Sequence, residues 1–190
     1  MKILLLGHGR CGSTSLQFGL ADVMRLEKII EPFNKSLWDN YYKTEPPYNK
    51  GDTLKDNIIF KTLTGPTFDN NWIKRNYTKF DKTIILMRGN LIDTLISHSN
   101  AITKGYLTSY SHDVPFTKRH LTHVMNNYQW LSDFYEKTIT PHLVWYEDIY
   151  TEDFNKSKDT IRSLNLGLSD EQLNKLYQQY LNPKFRLRKN

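Results

Sequence analysis

Gly7-His8-Gly9-Arg10-Cys11-Gly12-Ser13-Thr14-Ser15 is the stretch that decides how this chain is read. It follows Lys2–Gly7, an apolar run ended by glycine that suits a strand buried on both faces. It opens a helix, Gly12 to about Met24, with Leu16, Leu20, Val23 and Met24 on one stripe. Glycines let backbone amides approach an anion closely. The helix behind them aims free N–H groups and the positive end of its dipole at that anion. The Gly7-to-Gly12 spacing is that of a nucleotide phosphate loop, GxxxxGK[ST]. Ser13 stands where that loop has its lysine. The lysine reaches the β- and γ-phosphates, so its loss disfavours an ordinary ATPase or GTPase. Arg10 supplies a cation from a different place in the loop. An ordinary glycine turn with a buried hydroxyl at the helix start is the competing reading.

Outward from the loop, strand-like and helix-like runs alternate. Lys28–Glu31, Asn57–Leu63, Lys82–Met87 and His142–Tyr146 read as further strands. Asn90 suits the N-cap of a helix carrying Leu91, Leu95 and Ile96, with Asp93 in its first turn. Thr117–Lys137 places Leu121, Val124, Met125, Tyr128, Leu131, Phe134 and Tyr135 at helical spacing, a core stripe. A helix is expected near Asp153–Leu164, stopped by Asn165 and Gly167. Ser169 and Gln172 form a capping-box pattern for a last helix to about Leu181. The expected fold is α/β: a mainly parallel sheet between helical layers, in one domain over residues 1–190. Such sheets bind ligands beyond the carboxyl ends of their strands. Those ends deliver Gly7, Glu31, Lys61–Leu63, Arg88 and Tyr146–Asp148.

Composition narrows the classes. One cysteine, Cys11, excludes an internal disulfide and a cysteine-rich zinc site. No apolar run approaches the roughly 18 residues of a membrane span. The N-terminal run Ile3–Leu6 is too short for a signal-peptide core. A soluble, cytoplasmic protein is expected. The formal charge of +6 favours anionic ligands, although solubility alone also accounts for it. Lys184, Arg186, Arg188 and Lys189 form a basic C-terminal cluster, either a solvated tail or a cover for a nucleotide. His120 and His123 lie three apart with no evident third ligand and are read as solvated.

Arg10-Cys11-Gly12-Ser13-Thr14-Ser15-Leu16 resembles the 5′-phosphosulfate loop of sulfotransferases that use 3′-phosphoadenosine 5′-phosphosulfate (PAPS). The resemblance implies that Arg10, the loop amides and the Ser13 and Thr14 hydroxyls hold the 5′-phosphate and sulfuryl group. Cys11 replaces the commoner serine. Ile84-Ile85-Leu86-Met87-Arg88-Gly89-Asn90-Leu91, with Ser97 nine residues past Arg88, looks like the 3′-phosphate element of bacterial members. By that likeness, Arg88 and Ser97 bind the 3′-phosphate. Glu31-Pro32-Phe33-Asn34 is similar to an element of bacterial carbohydrate sulfotransferases, the sulfolipid-type trehalose enzymes among them. There the glutamate is the catalytic base. Phe60-Lys61-Thr62-Leu63 resembles the K-T-H-L strand end of cytosolic members, whose histidine base is Leu63 here. Lys61 then neutralises charge on the sulfuryl or bridging oxygens, or else snorkels to solvent. Val144-Trp145-Tyr146-Glu147-Asp148-Ile149 looks like the family's Y-E-D-L segment and is read as structural.

The resemblance implies a phosphate-loop-like sulfotransferase fold and sulfuryl transfer from PAPS to an acceptor hydroxyl or amine, a small molecule or carbohydrate. Glu31 is the expected base, and the product nucleotide is adenosine 3′,5′-bisphosphate. No metal is expected, because Arg10, Lys61 and Arg88 supply the positive charge. Neither nucleic acid nor membrane is an expected partner. Trp38, Tyr41, Tyr42 and the loop Gly105–Phe116 are the expected acceptor contacts. A phosphate-loop kinase, a basic nucleic-acid-binding module and a sulfotransferase that binds nucleotide without turnover are the alternatives.

Overall fold

Five apolar runs line up as one sheet in the computed structural model, which describes residues 1–34, 39, 48, 51–64, 69–104, 117–139 and 141–186. The strands are β1 (Lys2–Gly7), β2 (Glu27–Ile30), β3 (Ile58–Leu63), β4 (Lys82–Met87) and β5 (His142–Trp145). Their order is β2-β3-β1-β4-β5, and every neighbouring pair is parallel. Parallel strands need crossover connections, and those supply helices to both faces.

Side-chain alternation divides the core in two. Ile3 and Leu5 of β1 pack on one face with Leu16 and Leu20 of α1 (Ser13–Met24). The same cluster takes Ile161 of α6 (Phe154–Ser163) and Leu176 of α7 (Asp170–Leu176). Leu4 and Leu6 pack on the other face with Trp72 of α2 (Asn70–Asn76) and Leu131 of α4 (Lys118–Lys137). Three layers result, α/β/α. Burying each such large apolar side chain contributes about 1.5–3 kcal/mol. Gln17 of α1 is a polar exception, fully buried, with Nε2 donating to Ile29 O at 3.0 Å and Ile59 O at 2.9 Å. It pins the first helix across β2 and β3.

The connection after β1 goes to one face, and those after β3 and β4 go to the other. The crevice at the carboxyl end of β1 is therefore a topological switch point, where open α/β sheets take ligands. Register brings the expected residues to that edge, with Gly7 opposite Leu63 and Leu86, and Ile30 opposite Lys61.

Several boundaries differ from expectation. The second strand ends at Ile30, and Glu31 turns out of it at φ 42°. The fifth ends at Trp145, and Tyr146 begins the short helix α5 (Tyr146–Ile149). In α4 the buried line runs through Val124, Asn127, Leu131 and Phe134, at alternating three- and four-residue steps. Met125 and Tyr135 sit about 100° round from that line and are 47% and 40% exposed; Leu121 is 39% exposed. Helix α2 was not expected. Its signal is Asp69, whose carboxylate accepts the Trp72 N–H at 2.8 Å. The helix after β4 is α3 (Leu91–Lys104), where Asn90 Oδ1 accepts the Asp93 N–H at 3.1 Å, as read from sequence. Asp153 and Ser169 likewise cap α6 and α7. Trp38, Tyr41, Tyr42, the 105–116 loop, Arg188 and Lys189 lie outside the described residues. Lys184, at the start of the terminal α8 (Pro183–Arg186), pairs with Glu152 at 3.1 Å.

Candidate functional site

The loop between β1 and α1 is shaped by two left-handed residues, Arg10 at φ 73° and Gly12 at φ 81°. Glycine is needed at position 12 twice over. A Cβ there would also lie 2.6 Å from the Tyr150 ring, and the Tyr150 hydroxyl donates to Gly12 O at 2.6 Å. Gly12 caps α1 with no side-chain hydrogen bond, and the positive end of a helix dipole at such a terminus favours an anion. Arg10 and Thr14 are exposed and Ser15 is half-buried, while Ser13 is buried. Cys11 is fully buried in the core, and desolvation pushes its thiol upward. Its sulfur fills the space a Cβ on Gly7 would need, 2.6 Å away. The Cys11 thiol is turned into the core, where it meets the backbone and hydroxyl of Ser13.

Beneath the loop, Lys61 is 1% exposed. Strand alternation turns it toward the α1 face. Its Nζ lies 2.6 Å from Glu31 Oε1 and donates to Thr14 Oγ1 at 2.7 Å. Lys61 is thus a buried bridge, and the snorkelling alternative falls. Glu31 N–H donates to Lys61 O at 2.7 Å, and Asn34 Nδ2 donates to Glu31 Oε2 at 2.8 Å. A non-glycine residue at positive φ costs about 1–2 kcal/mol; here that backbone aims the carboxylate at the ammonium.

On the other side of β1, Arg88 leaves the end of β4. Its Nη2 meets Asp93 Oδ2 at 3.2 Å, and its guanidinium lies 4.7 Å over the Tyr146 ring. Among the described residues, Arg88 Nε is buried without a hydrogen-bond partner. Ser97 receives Arg10 Nε at 3.0 Å. Ser97 and Asp93 are one turn apart on α3, so Arg10 and Arg88 dock on adjacent turns of one helix. Glu147 accepts the N–H groups of Gly89 at 2.9 Å and Asn90 at 3.1 Å. The Tyr146–Tyr150 segment therefore ties the loop to the start of α3, the structural part read from sequence.

His8 carries no expected role, yet it is 1% exposed at the centre of the site. Burial lowers its pKa to about 4. His98 also falls to about 4, chiefly by burial, with neighbouring His123 and His120 adding to the shift. His98 stacks on His123 at 4.7 Å and meets His120 edge-on at 5.8 Å. These rings pack α3 against α4. Among the described residues, no group of three or more His, Cys, Asp or Glu is arranged to hold a metal ion, and no helix is long and apolar enough to cross a membrane.

The mouse sulfotransferase SULT7A1, in a crystal structure complexed with PAP, matches with a TM-score of 0.54 over 93% of this chain. The fold is sulfotransferase-like. Identity is 13%, and the chain spans 62% of that protein's length. An unliganded sugar kinase from Janibacter sp. HTCC2649 gives a TM-score of 0.45 at 10% identity, covering 87% of this chain and 95% of its own. No protein-family model matches the chain, and no curated protein does. The sulfotransferase-like fold sets the phosphate loop, Lys61 and Arg88 around one crevice. Sequence reasoning named these separately. It missed Asp93 and Asn34 as their partners, although both lie in the quoted motifs.

Proposed function

We propose that this protein transfers a sulfuryl group from PAPS to an acceptor hydroxyl or amine, on a small molecule or carbohydrate. The carrying observation is the Lys61 ammonium 2.7 Å from Thr14 Oγ1. In GxxxxGK[ST] enzymes that hydroxyl ligates Mg²⁺ and the preceding lysine holds the polyphosphate. Here a protein cation already sits on the hydroxyl, and Ser13 replaces the lysine. A donor whose 5′ end is one phosphate joined to sulfate suits this charge pattern better than a metal–triphosphate.

The residues fit such a donor. The uncapped first turn of α1 and Arg10 offer donors for the 5′-phosphate, with the loop backbone of Cys11 and Gly12 and the hydroxyls of Thr14 and Ser15. Ser13 is buried beneath them, beside the Cys11 thiol. Arg88, whose buried Nε has no hydrogen-bond partner among the described residues, offers its guanidinium to a 3′-phosphate, with Ser97 one turn from its Asp93 contact. PAPS supplies an activated sulfuryl group when bound. Arg10 and the α1 amides stabilise negative charge on the leaving 5′-phosphate, Lys61 does so on the sulfuryl oxygens, and Glu31 takes the acceptor proton.

The test is transfer of labelled sulfate from PAPS onto a panel of sugars, phenols and amines in EDTA. The expected result is label on at least one acceptor class at an undiminished rate. Phosphoryl transfer from ATP–Mg²⁺ with no sulfuryl transfer would replace this reading with the kinase.

A further inference from the structure

His8 joins the two anion-binding elements through hydrogen bonds that only one protonation state allows. Its Nδ1 lies 2.8 Å from Gly9 O, a pure acceptor, so Nδ1 carries the proton. Its Nε2 accepts the Arg88 N–H at 3.2 Å, so Nε2 is bare. The ring stacks on Tyr128 of α4, centroids 4.6 Å apart at 28°. The Tyr128 hydroxyl in turn donates to Arg88 O. The backbone of Arg88 is therefore gripped from both sides, by a residue of the phosphate loop and by a residue stacked on it.

We propose that His8 is a positioning residue that fixes the spacing between the loop and Arg88, and thereby makes the site select nucleotides carrying a 3′-phosphate. Arg88 is the first residue beyond β4, where no ladder partner fixes its direction. Tyr146 and Asp93 hold its guanidinium, but its backbone amide has His8 as partner. Because the same imidazole is braced on Gly9 O, a shift of the loop becomes a shift of Arg88. Burial keeps the ring neutral, and Gly9 O and the Arg88 N–H select the tautomer with its proton on Nδ1.

This inference rests on the proposed donor. Three substitutions separate the two hydrogen bonds. His8→Phe keeps the stack on Tyr128 and loses both bonds. His8→Asn places an amide where Nδ1 was and leaves Arg88 N–H unpaired. His8→Gln reaches with Oε1 to where Nε2 was and restores the Arg88 bond. The readout is the ratio of Kd for adenosine 5′-phosphate to Kd for adenosine 3′,5′-bisphosphate, by calorimetry. The ratio should fall about tenfold in His8→Phe and His8→Asn, the loss expected when one buried hydrogen bond no longer aims the arginine. It should stay within about twofold of wild type in His8→Gln, with the Arg88 amide again protected from hydrogen exchange. An unchanged ratio in all three, or equal weakening of both nucleotides, overturns the role of His8. A wild-type protein blind to the 3′-phosphate overturns the donor reading itself, and this inference with it.

Discussion

Two cation–carboxylate pairs flank the end of β1, and they differ in how much water they see. Lys61 and Glu31 are 2.6 Å apart with side chains 2% and 10% exposed. Arg88 and Asp93 are 3.2 Å apart with side chains 15% and 38% exposed. In the first pair each member has a second partner: Lys61 also donates to Thr14, and Glu31 also accepts from Asn34. The second keeps a donor, Arg88 Nε, without a partner among the described residues. Removing one member of a buried pair strands a charge, whereas an exposed pair is worth little and exchanges its partner readily. On the proposed reading, the buried pair stays in place during the reaction and the more open pair hands its arginine to an anion.

The largest effect that sharpens this contrast is on turnover. Glu31→Gln should lower sulfuryl transfer by about 10²–10⁴-fold, the range for losing a general base, with bisphosphate affinity little changed. Equal turnover in the two proteins removes Glu31 as base. Next comes stability. Lys61→Met leaves the Glu31 carboxylate buried without its counter-cation and should cost about 3–5 kcal/mol in urea unfolding, with much of that recovered in the Lys61→Met/Glu31→Gln double variant. A loss below about 1 kcal/mol would mean that the pair behaves like a surface ion pair. Smallest is the more open pair. Arg88→Ala should cost less stability than Lys61→Met, yet weaken adenosine 3′,5′-bisphosphate far more than adenosine 5′-phosphate. Similar losses for the two nucleotides would place Arg88 outside the 3′ site.

Much of the sheet is legible in the sequence because buried parallel strands are continuous apolar runs. Lys2–Gly7 and Lys82–Met87 coincide with the strands. The loop is legible because glycines, a cation and hydroxyls follow a strand directly. What the sequence hides is adjacency. Glu31, Lys61 and Thr14 are three separate motifs until the Ile30–Lys61 register joins them. Asp93 reads as a first-turn acid, and only the path of Arg88 off β4 makes it an ion-pair partner. His8 is assigned no role in the sequence, since nothing local foretells that Tyr128, from a helix far along the chain, will stack on it. The α4 stripe errs for a related reason: an apolar residue at helical spacing is not yet an inward-facing one.

The most direct measurement is calorimetric titration of the protein with adenosine 3′,5′-bisphosphate in EDTA, beside ATP with Mg²⁺. A sulfuryl-transfer site predicts saturable binding of the bisphosphate without metal and negligible binding of ATP–Mg²⁺. Tight binding of ATP–Mg²⁺ together with none of the bisphosphate would contradict it.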